Sequence, residues 1–496
     1  MASGMRCQGQ VLLVAVLLSG NAVAASLTEA QQRQVAEELR LLQQDRQQLN
    51  EQMKAFDARI RALESLLLEE SPVTGNDGAA VASATSTEPA PAVAEKPAAW
   101  GGYTPGKGFT LAEGDAGEVN FSVYTYARYL NNAGLDETYT DAFGRPHSIE
   151  SRNDVQFQKL TLNFKGWLFD PKFRYLFYTW TSNTSQGDPA QVVVAGNLGY
   201  QFDPAFNLYA GIGALPSTRS TNYTFPNWLK NDHRTIADEF FRGSYTSGIW
   251  ASGEPLKGLK YRAMVGNNLS QLGVNANQLD DELNTVSAAV WWMPTTGEYG
   301  PGEGLGDYEF HEEFATLLGL HFTRSREDAQ GQSDTDGFEN SQIRLSDGTL
   351  LFSSDPFATG GDIRKASYRM AAANAGFKYR GWSVEAEYYH RWVDDFVTTG
   401  PIPVSELDDE GYQLQASAML IPEALQAYVG YSKIDGEYGD PYDVSVGLNW
   451  FPFLRREVRM NVQGLYLKDS PVGYSSVPFA LGGTGWVMTT DLIVAF

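Results

Sequence analysis

From Glu118 onward the chain alternates apolar and polar side chains with a period of two. Tyr442, Val444, Val446, Leu448 and Trp450 stand against Asp443, Ser445, Gly447 and Asn449. Val458, Met460 and Val462 stand against Arg459, Asn461 and Gln463, and Leu160, Leu162 and Phe164 against Lys159, Thr161, Asn163 and Lys165. That period places the two sets on opposite faces of a β-strand. Sixteen such segments begin near residues 119, 156, 172, 191, 206, 239, 259, 286, 312, 368, 382, 411, 424, 442, 457 and 486. Their connections alternate in length. Short ones at Asp170-Pro171, Asp203-Pro204, Arg380-Gly381, Pro422-Glu423 and 451–456 are interleaved with long, polar, Gly/Asp-rich ones at 131–154, 214–238, 324–366, 393–409 and 469–485. Two connections on the short side, 251–258 and 294–310, are longer than the rule prefers. An even number of strands with short turns at one end and long loops at the other predicts an all-β fold over residues 117–496, a transmembrane antiparallel β-barrel of about sixteen strands. Trp180, Trp250, Trp291, Trp292, Trp382, Trp392, Trp450 and Trp486 fall at predicted strand ends, where an interfacial girdle would place them.

Earlier in the chain the period differs. Val35, Leu39, Leu42, Leu49, Met53, Phe56, Ile60, Leu63 and Leu67 recur at alternating spacings of three and four, a heptad seam interrupted by Arg46. This predicts an N-terminal α-helical coiled coil over residues 27–70; a single amphipathic helix lying on another surface is the alternative. Residues 71–116, opening on a run of Ala, Pro, Ser, Thr and Val, read as a disordered linker. Residues 1–24 read as a secretory signal peptide, with Arg6, an apolar core from Val11 to Leu18 and the small-residue site Ala22-Val23-Ala24.

Composition sharpens this picture. Aromatic residues make up 12% of the chain, and 49 glycines suit many strands and turns. The single cysteine, Cys7, lies ahead of the apolar core, so the exported chain is expected to lack disulfides. A formal net charge of -23 argues against nucleic acid as a partner and fits solvated loops. The five histidines are scattered without metal-ligand spacing, and no Gly-x-Ser-x-Gly elbow occurs. No catalytic residue, metal site or cofactor is therefore expected, and the chain is read as a non-enzyme.

The chain ends with Leu492, Val494 and Phe496 on one face of a last strand, which resembles the terminal assembly signal of outer-membrane proteins. The stretches Gly211-Ile212-Gly213-Ala214-Leu215-Pro216-Ser217-Thr218-Arg219 to Glu254, Gly266-Asn267-Asn268-Leu269-Ser270-Gln271, and Trp292-Met293-Pro294-Thr295-Thr296-Gly297-Glu298 resemble the phosphate-selective porin O and P family. They also resemble its relatives with a periplasmic coiled coil, including dicarboxylate-type porins. That resemblance implies a homotrimer of sixteen-stranded channels in a Gram-negative cell outer membrane, contacting its lipid and lipopolysaccharide, with the coiled coil in the periplasm. It also implies a third exterior loop, here 214–238, folded inward as a constriction.

Sorting each strand by face puts Arg128, Lys159, Lys165, Arg242, Lys260, Arg262, Lys378, Arg391 and Arg459 toward the lumen, opposed by Glu385, Glu387, Asp443 and Asp491. A cationic wall in a narrow low-dielectric channel favours passive diffusion of small anionic solutes, which the resemblance implies are phosphate-like or dicarboxylate-like. Pairing of these charges across strands, or a position at the rim, is the alternative. Within the loop, Arg219, Lys230 and Arg234 with Tyr223, Phe225 and Trp228 would form a basic, aromatic eyelet, unless Phe225-Pro226-Asn227-Trp228 only wedges the loop against the wall. Two rival functions stand beside this one. A barrel enzyme would need a Ser/His or Asp/His constellation at one rim, tested by whether His321 or His390 has a serine across the neighbouring strand, and a structural anchor would have its lumen plugged by 214–238 and 324–366.

Overall fold

The computed structural model describes residues 101–182, 191–222, 224–271, 282–330, 342–474 and 477–496. The predicted signal peptide and coiled coil lie outside the described residues, as do Tyr223 and the predicted linker up to residue 100. Sixteen antiparallel strands form a closed barrel. They are β1 (Gly117–Leu135), β2 (Asn153–Leu168), β3 (Asp170–Ser182), β4 (Gln191–Asp203), β5 (Phe206–Ala214), β6 (Tyr245–Leu256), β7 (Leu259–Gly266), β8 (Thr285–Trp292), β9 (Ala315–Asp328), β10 (Ile363–Tyr379), β11 (Trp382–Thr398), β12 (Leu407–Ile421), β13 (Leu425–Asp435), β14 (Tyr442–Trp450), β15 (Val458–Lys468) and β16 (Gly485–Ala495). Each strand pairs with its sequence neighbour, and β16 returns to β1 with Asp491 opposite Arg128. Closure leaves the barrel without an unpaired edge, as a spanning sheet in hydrocarbon requires.

The alternation resolves as read. Val444, Val446 and Leu448 of β14 and Leu318, Leu320 and Phe322 of β9 point outward and are exposed, while Asp443, Ser445 and Asn449 point inward and are buried. The apolar belt is rimmed by rings. At the long-loop end Tyr412, Tyr431, Tyr442, Tyr466 and Trp486 touch in succession across β12 to β16, with centroids 5.9, 6.3, 6.0 and 5.4 Å apart. At the short-turn end Trp292, Trp382 and Trp450 stand exposed. Amphipathic rings at both edges of an apolar belt are the signature of a barrel seated between two interfaces.

Three elements depart from the sequence reading. Residues 239–244 do not begin a strand: Ile236–Phe241 is a short helix, α1, and β6 starts at Tyr245. Thr235 caps the helix by accepting the Asp238 amide, and Phe240 and Phe241 pack inside the barrel, so the apolar run serves a loop. The connection assigned to 251–258 is a tight turn at Lys257-Gly258, because β6 and β7 stay paired through Leu256 and Leu259. Part of the predicted linker is ordered. Tyr103–Thr104 and Gly108–Gly114 form a hairpin whose longer arm pairs with the start of β1, Phe109 opposite Phe121, beside the end of β16. Its anchors are Tyr103 to Glu457 (2.6 Å), Lys107 to Glu118, and Phe109 against the C-terminal Phe496 (5.3 Å).

Candidate functional site: the inward loop and the cavity beside it

Residues 215–244 connect β5 to β6, the third long loop in chain order, and nearly all of those described are buried. The loop lies inside the barrel, as the resemblance implied for 214–238. What holds it there is a set of buried charge pairs along one half of the wall. Arg219 pairs with Glu385 (2.9 Å), and its own amide donates to Glu387 (2.7 Å). Lys230 pairs with Asp443 (3.3 Å), Thr235 donates to Gln413 (2.9 Å), and Phe241 stacks on Tyr389 at 5.1 Å. Near the seam, Tyr124 donates to Asn231, Tyr126 to Asp232, and Arg128 to the Asn231 carbonyl. Charged side chains at such burial persist only when paired, so the loop is fixed on β11–β14 and on β1.

The other side of the loop faces β2–β7 across a cavity of about 250 Å³. Among the described residues, Lys159, Arg234, Arg242 and Arg262 line it against two acids, Asp232 and Glu239. Lys159 bonds both oxygens of Asp232 (3.1 and 3.0 Å), while Glu239 is shared by Arg234 (3.1 Å) and Arg242 (2.7 Å). Burial pushes the Glu239 carboxyl up, but Arg242 and Arg234 more than offset it and hold it at about 2, so this carboxylate stays ionised at neutral pH. Gly213 on β5 makes the wall possible: a Cβ there would lie 2.7 Å from the Arg262 guanidinium and 3.0 Å from the Trp250 ring.

Two wider spaces are stacked on this cavity. Toward the long loops a space of about 850 Å³ lies among residues 130–152, 344–354 and 473–481, and Tyr474 borders both it and the cavity. Toward the short turns a space of about 770 Å³ includes Arg455, Arg456 and Arg459, and Trp228 borders both. The turn side is narrowed by 293–314, where Leu305 donates to the Asn227 carbonyl (2.8 Å), and by Tyr103, Pro105 and Gly106 of the hairpin.

The sequence-selected residues therefore divide, Tyr223 lying outside the described residues. Lys159, Arg262, Arg234 and Trp228 line the cavity, as does Arg242, though from the loop rather than from a strand. Arg459 faces the lower space and donates to the Trp228 carbonyl (2.8 Å). Lys165 reaches the hairpin carbonyl of Gly106 (2.5 Å), and Lys260 pairs with Glu303 of the 293–314 turn. Lys378 is sealed against the Tyr299 carbonyl (2.8 Å), and Arg219 and Lys230 are spent on the loop's packed side. Lys378 therefore does not line the pore as expected, because the 293–314 turn covers it, and none of these three borders the spaces described above. Of the other two, Arg128 and Arg391 pair with Asp491 and Asp409. Pairing thus occurs, chiefly between wall and loop.

Sequence reading missed Tyr178, Trp180, Asp232, Glu239, Trp250 and Tyr474 in the cavity. Trp180 and Trp250, assigned to the girdle, are inward and buried, as is Trp291, whose indole donates to Glu303 (2.7 Å). Strand parity carried the signal, since Phe177 and Ile249 hold the outward positions of β3 and β6. Asp307, Glu309 and His311 lie with ligand atoms within 4.8 Å of one another. Their atoms are already engaged: Asp307 accepts the Gly381 amide (2.7 Å) and His311, and Glu309 pairs with Arg456 (2.8 Å), which describes a bonded turn rather than a metal seat. The Asp307 bond raises His311 above its ordinary range, outweighing burial. His321 meets Asn374 and the Pro216 carbonyl, and His390 meets Asp408; neither has a serine opposite it in register.

No family model matches the chain, and no curated protein matches it in sequence. Among solved structures the chain is similar to an anion-selective porin from Comamonas acidovorans, at 11% identity and a TM-score of 0.46 over 77% of this chain and 100% of that one. It is similar to the trimer form of OmpT, an outer membrane protein of Vibrio cholerae, at 10% identity and 0.47 over 77% and 100%. A third is the outer membrane channel DcaP of Acinetobacter baumannii, at 8% identity and 0.45 over 78% and 99%.

Proposed function

We propose that the chain is an outer-membrane porin of a Gram-negative bacterium through which small anionic solutes diffuse passively. The observation that carries this reading is the unequal lining of the cavity beside the inward loop, four cations against two acids among the described residues. A cationic constriction with low-dielectric walls raises local anion concentration even though the whole chain is acidic. Wider spaces lie on either side of it, sharing Tyr474 and Trp228 with it. The likeness to phosphate-selective O and P porins belongs to this proposal, as do trimeric assembly, contact with lipopolysaccharide, and a coiled coil that aligns protomers in the periplasm. Phosphate and dicarboxylates are the first solutes to compare. The reversal potential of the purified protein in planar bilayers under a KCl gradient tests the reading. A chloride-selective reversal is expected, and a cation-selective one sinks it.

One observation favours a second reading, the structural anchor. Besides the inward loop, Ile343, Leu345, Leu351 and Phe357 of the loop after β9, and Val472, Val477 and Phe479 of the loop before β16, are buried with the barrel interior. A lumen so filled that no current passes in the same bilayers would select the anchor.

A further inference from the structure

The lipid-facing side of β9 is apolar only part of the way toward the long loops. Leu318, Leu320 and Phe322 point outward, and the next two outward positions are Arg324 and Arg326. Arg324 lies directly opposite Arg369, which takes the same face of β10. A place near the water boundary explains one arginine, because charge costs little at that depth. It does not explain two set face to face, since like charges directly opposite on paired strands repel. Carboxylates meet only part of the group. Asp394 pairs with Arg369, and Asp395 stands 3.9 Å from Arg326, which also donates to Ser367 (2.8 Å). Among the described residues none pairs with Arg324, which is exposed and has Val286 as its neighbour on β8. Its counter-charge has to arrive from outside the chain, on the side that faces lipid.

Below Arg369, toward the short turns, β10 carries Ala371, Ala373 and Ala375 outward. Phe322 and Leu320 stand opposite the first two on β9, and His390 and Tyr388 on β11. Three methyl groups between taller side chains leave a furrow about 13 Å long beneath the arginine pair. A free anion has no use for the furrow, and an uncharged lipid has no use for the arginines. Resting on the outer-membrane reading above, we propose that the outer surface of β9 and β10 is a binding site for a phosphorylated lipid of the outer leaflet. Its phosphate is held between Arg324 and Arg369, and one acyl chain lies in the alanine furrow. The lipid A part of lipopolysaccharide, with phosphates above several acyl chains, has this chemistry. Phosphate oxygens match the planar donors of a guanidinium, and their charge removes the repulsion between the two arginines. Asp394 does not exhaust Arg369, whose side chain is 42% exposed. Because the furrow faces lipid in any case, the acyl chain contributes close packing rather than a hydrophobic gain.

The full chain, freed of co-purified lipid in detergent, is titrated with lipid A, with lipid A stripped of its phosphates, and with inorganic phosphate. Native mass spectrometry reads the bound lipid, and thermal unfolding reads the stabilisation it brings. Lipid A is expected to bind saturably and to raise the unfolding temperature. Arg324→Gln should raise its half-saturating concentration about fivefold to tenfold. Ala373→Phe, which fills the furrow, should raise it about threefold or more. Lys433→Gln, on β13 where Asp435 already holds the lysine, should leave it within about twofold. In lipid-free detergent Arg324→Gln should unfold at the temperature of the unaltered chain or above it, because a like-charge contact is gone. A lower temperature there would give Arg324 a partner within the chain and overturn the site. So would equal binding of the phosphate-free lipid, unweakened binding by the Arg324 or Ala373 variant, or inorganic phosphate stabilising the barrel as far as lipid A does. A barrel that binds lipid A yet is cation-selective or passes no current in planar bilayers keeps the site and loses the anion channel. An anion-selective barrel indifferent to lipid A loses the site alone.

Discussion

Arg128 on the first strand and Asp491 on the last face each other across the closing seam, 2.7 Å apart and almost wholly buried, and the same guanidinium donates to the Asn231 carbonyl of the inward loop at 2.7 Å. One side chain thus joins barrel closure to the position of the constriction. Asp491→Asn leaves that guanidinium without its counter-charge, at a cost of about 3–5 kcal/mol. The temperature at which the folded band converts to the unfolded one in detergent gels should fall clearly, and single-channel records should become noisier as Asn231 loosens. An unchanged conversion temperature would show that Arg128 is held by the loop alone.

The same structure separates cations that face solute from cations spent on packing. Lys159 and Arg262 line the cavity, whereas Lys378 is closed off by Tyr299. Lys159→Gln and Arg262→Gln should each lower the chloride-to-potassium permeability ratio by about twofold or more in low salt, with a smaller effect in high salt as screening shortens the reach of the field. Lys378→Met should leave the ratio within experimental scatter. A Lys378 variant that shifts selectivity as far as a Lys159 variant would place the permeation path on the wrong side of the loop.

Sequence alone revealed the strands because lipid imposes one condition on every outward position and water or packing another on every inward one. That is why β14 and β15 read cleanly from Tyr442 to Lys468. The constriction was legible only in outline. Arg219, Lys230 and Arg234 belong to one loop and look equivalent in one dimension, yet the first two meet Glu385 and Asp443 more than 150 residues away while Arg234 meets the cavity. Arg242 was misplaced because Phe240-Phe241, just before it, suits the end of a short buried helix as well as a strand start. The hairpin at 103–114 escaped because its partner is the start of β1, and seven residues beside a Pro- and Ala-rich run carry no clear period.

That hairpin narrows the short-turn mouth and lies against the seam, so it should affect both conductance and stability. Phe109 packs on Phe496, and Tyr103 bonds Glu457. Phe109→Ala is expected to cost about 1 kcal/mol of seam stability, read as a lower unfolding temperature in detergent. Removing residues 101–114 should raise single-channel conductance, since Tyr103, Pro105 and Gly106 border the lower space. An unchanged conductance in the truncated chain would mean that the resistance lies wholly at the cavity.

The turn beneath the barrel should respond to pH through His311. Its hydrogen bond to Asp307 raises the imidazole above its ordinary value of about 6.5, while burial of Asp307 is more than offset by bonds from His311 and Gly381, which hold that carboxyl low. A raised histidine stabilises the fold fully at pH below its unfolded value, and that contribution disappears as pH climbs through the folded one. The lowered aspartate acts in the opposite sense, stabilising above its unfolded value and losing that effect as pH falls through its folded one. The pair is therefore at full strength only between the ordinary carboxylate and imidazole ranges. His311→Gln should lower the unfolding temperature most near pH 5.5, and the difference from the unaltered chain should shrink steadily toward about pH 9. Because Asp307 also accepts the Gly381 amide at 2.7 Å, exchange of that amide should quicken in the variant at the lower pH. A difference that stays constant across the range would assign His311 a packing role and remove its charge from the account.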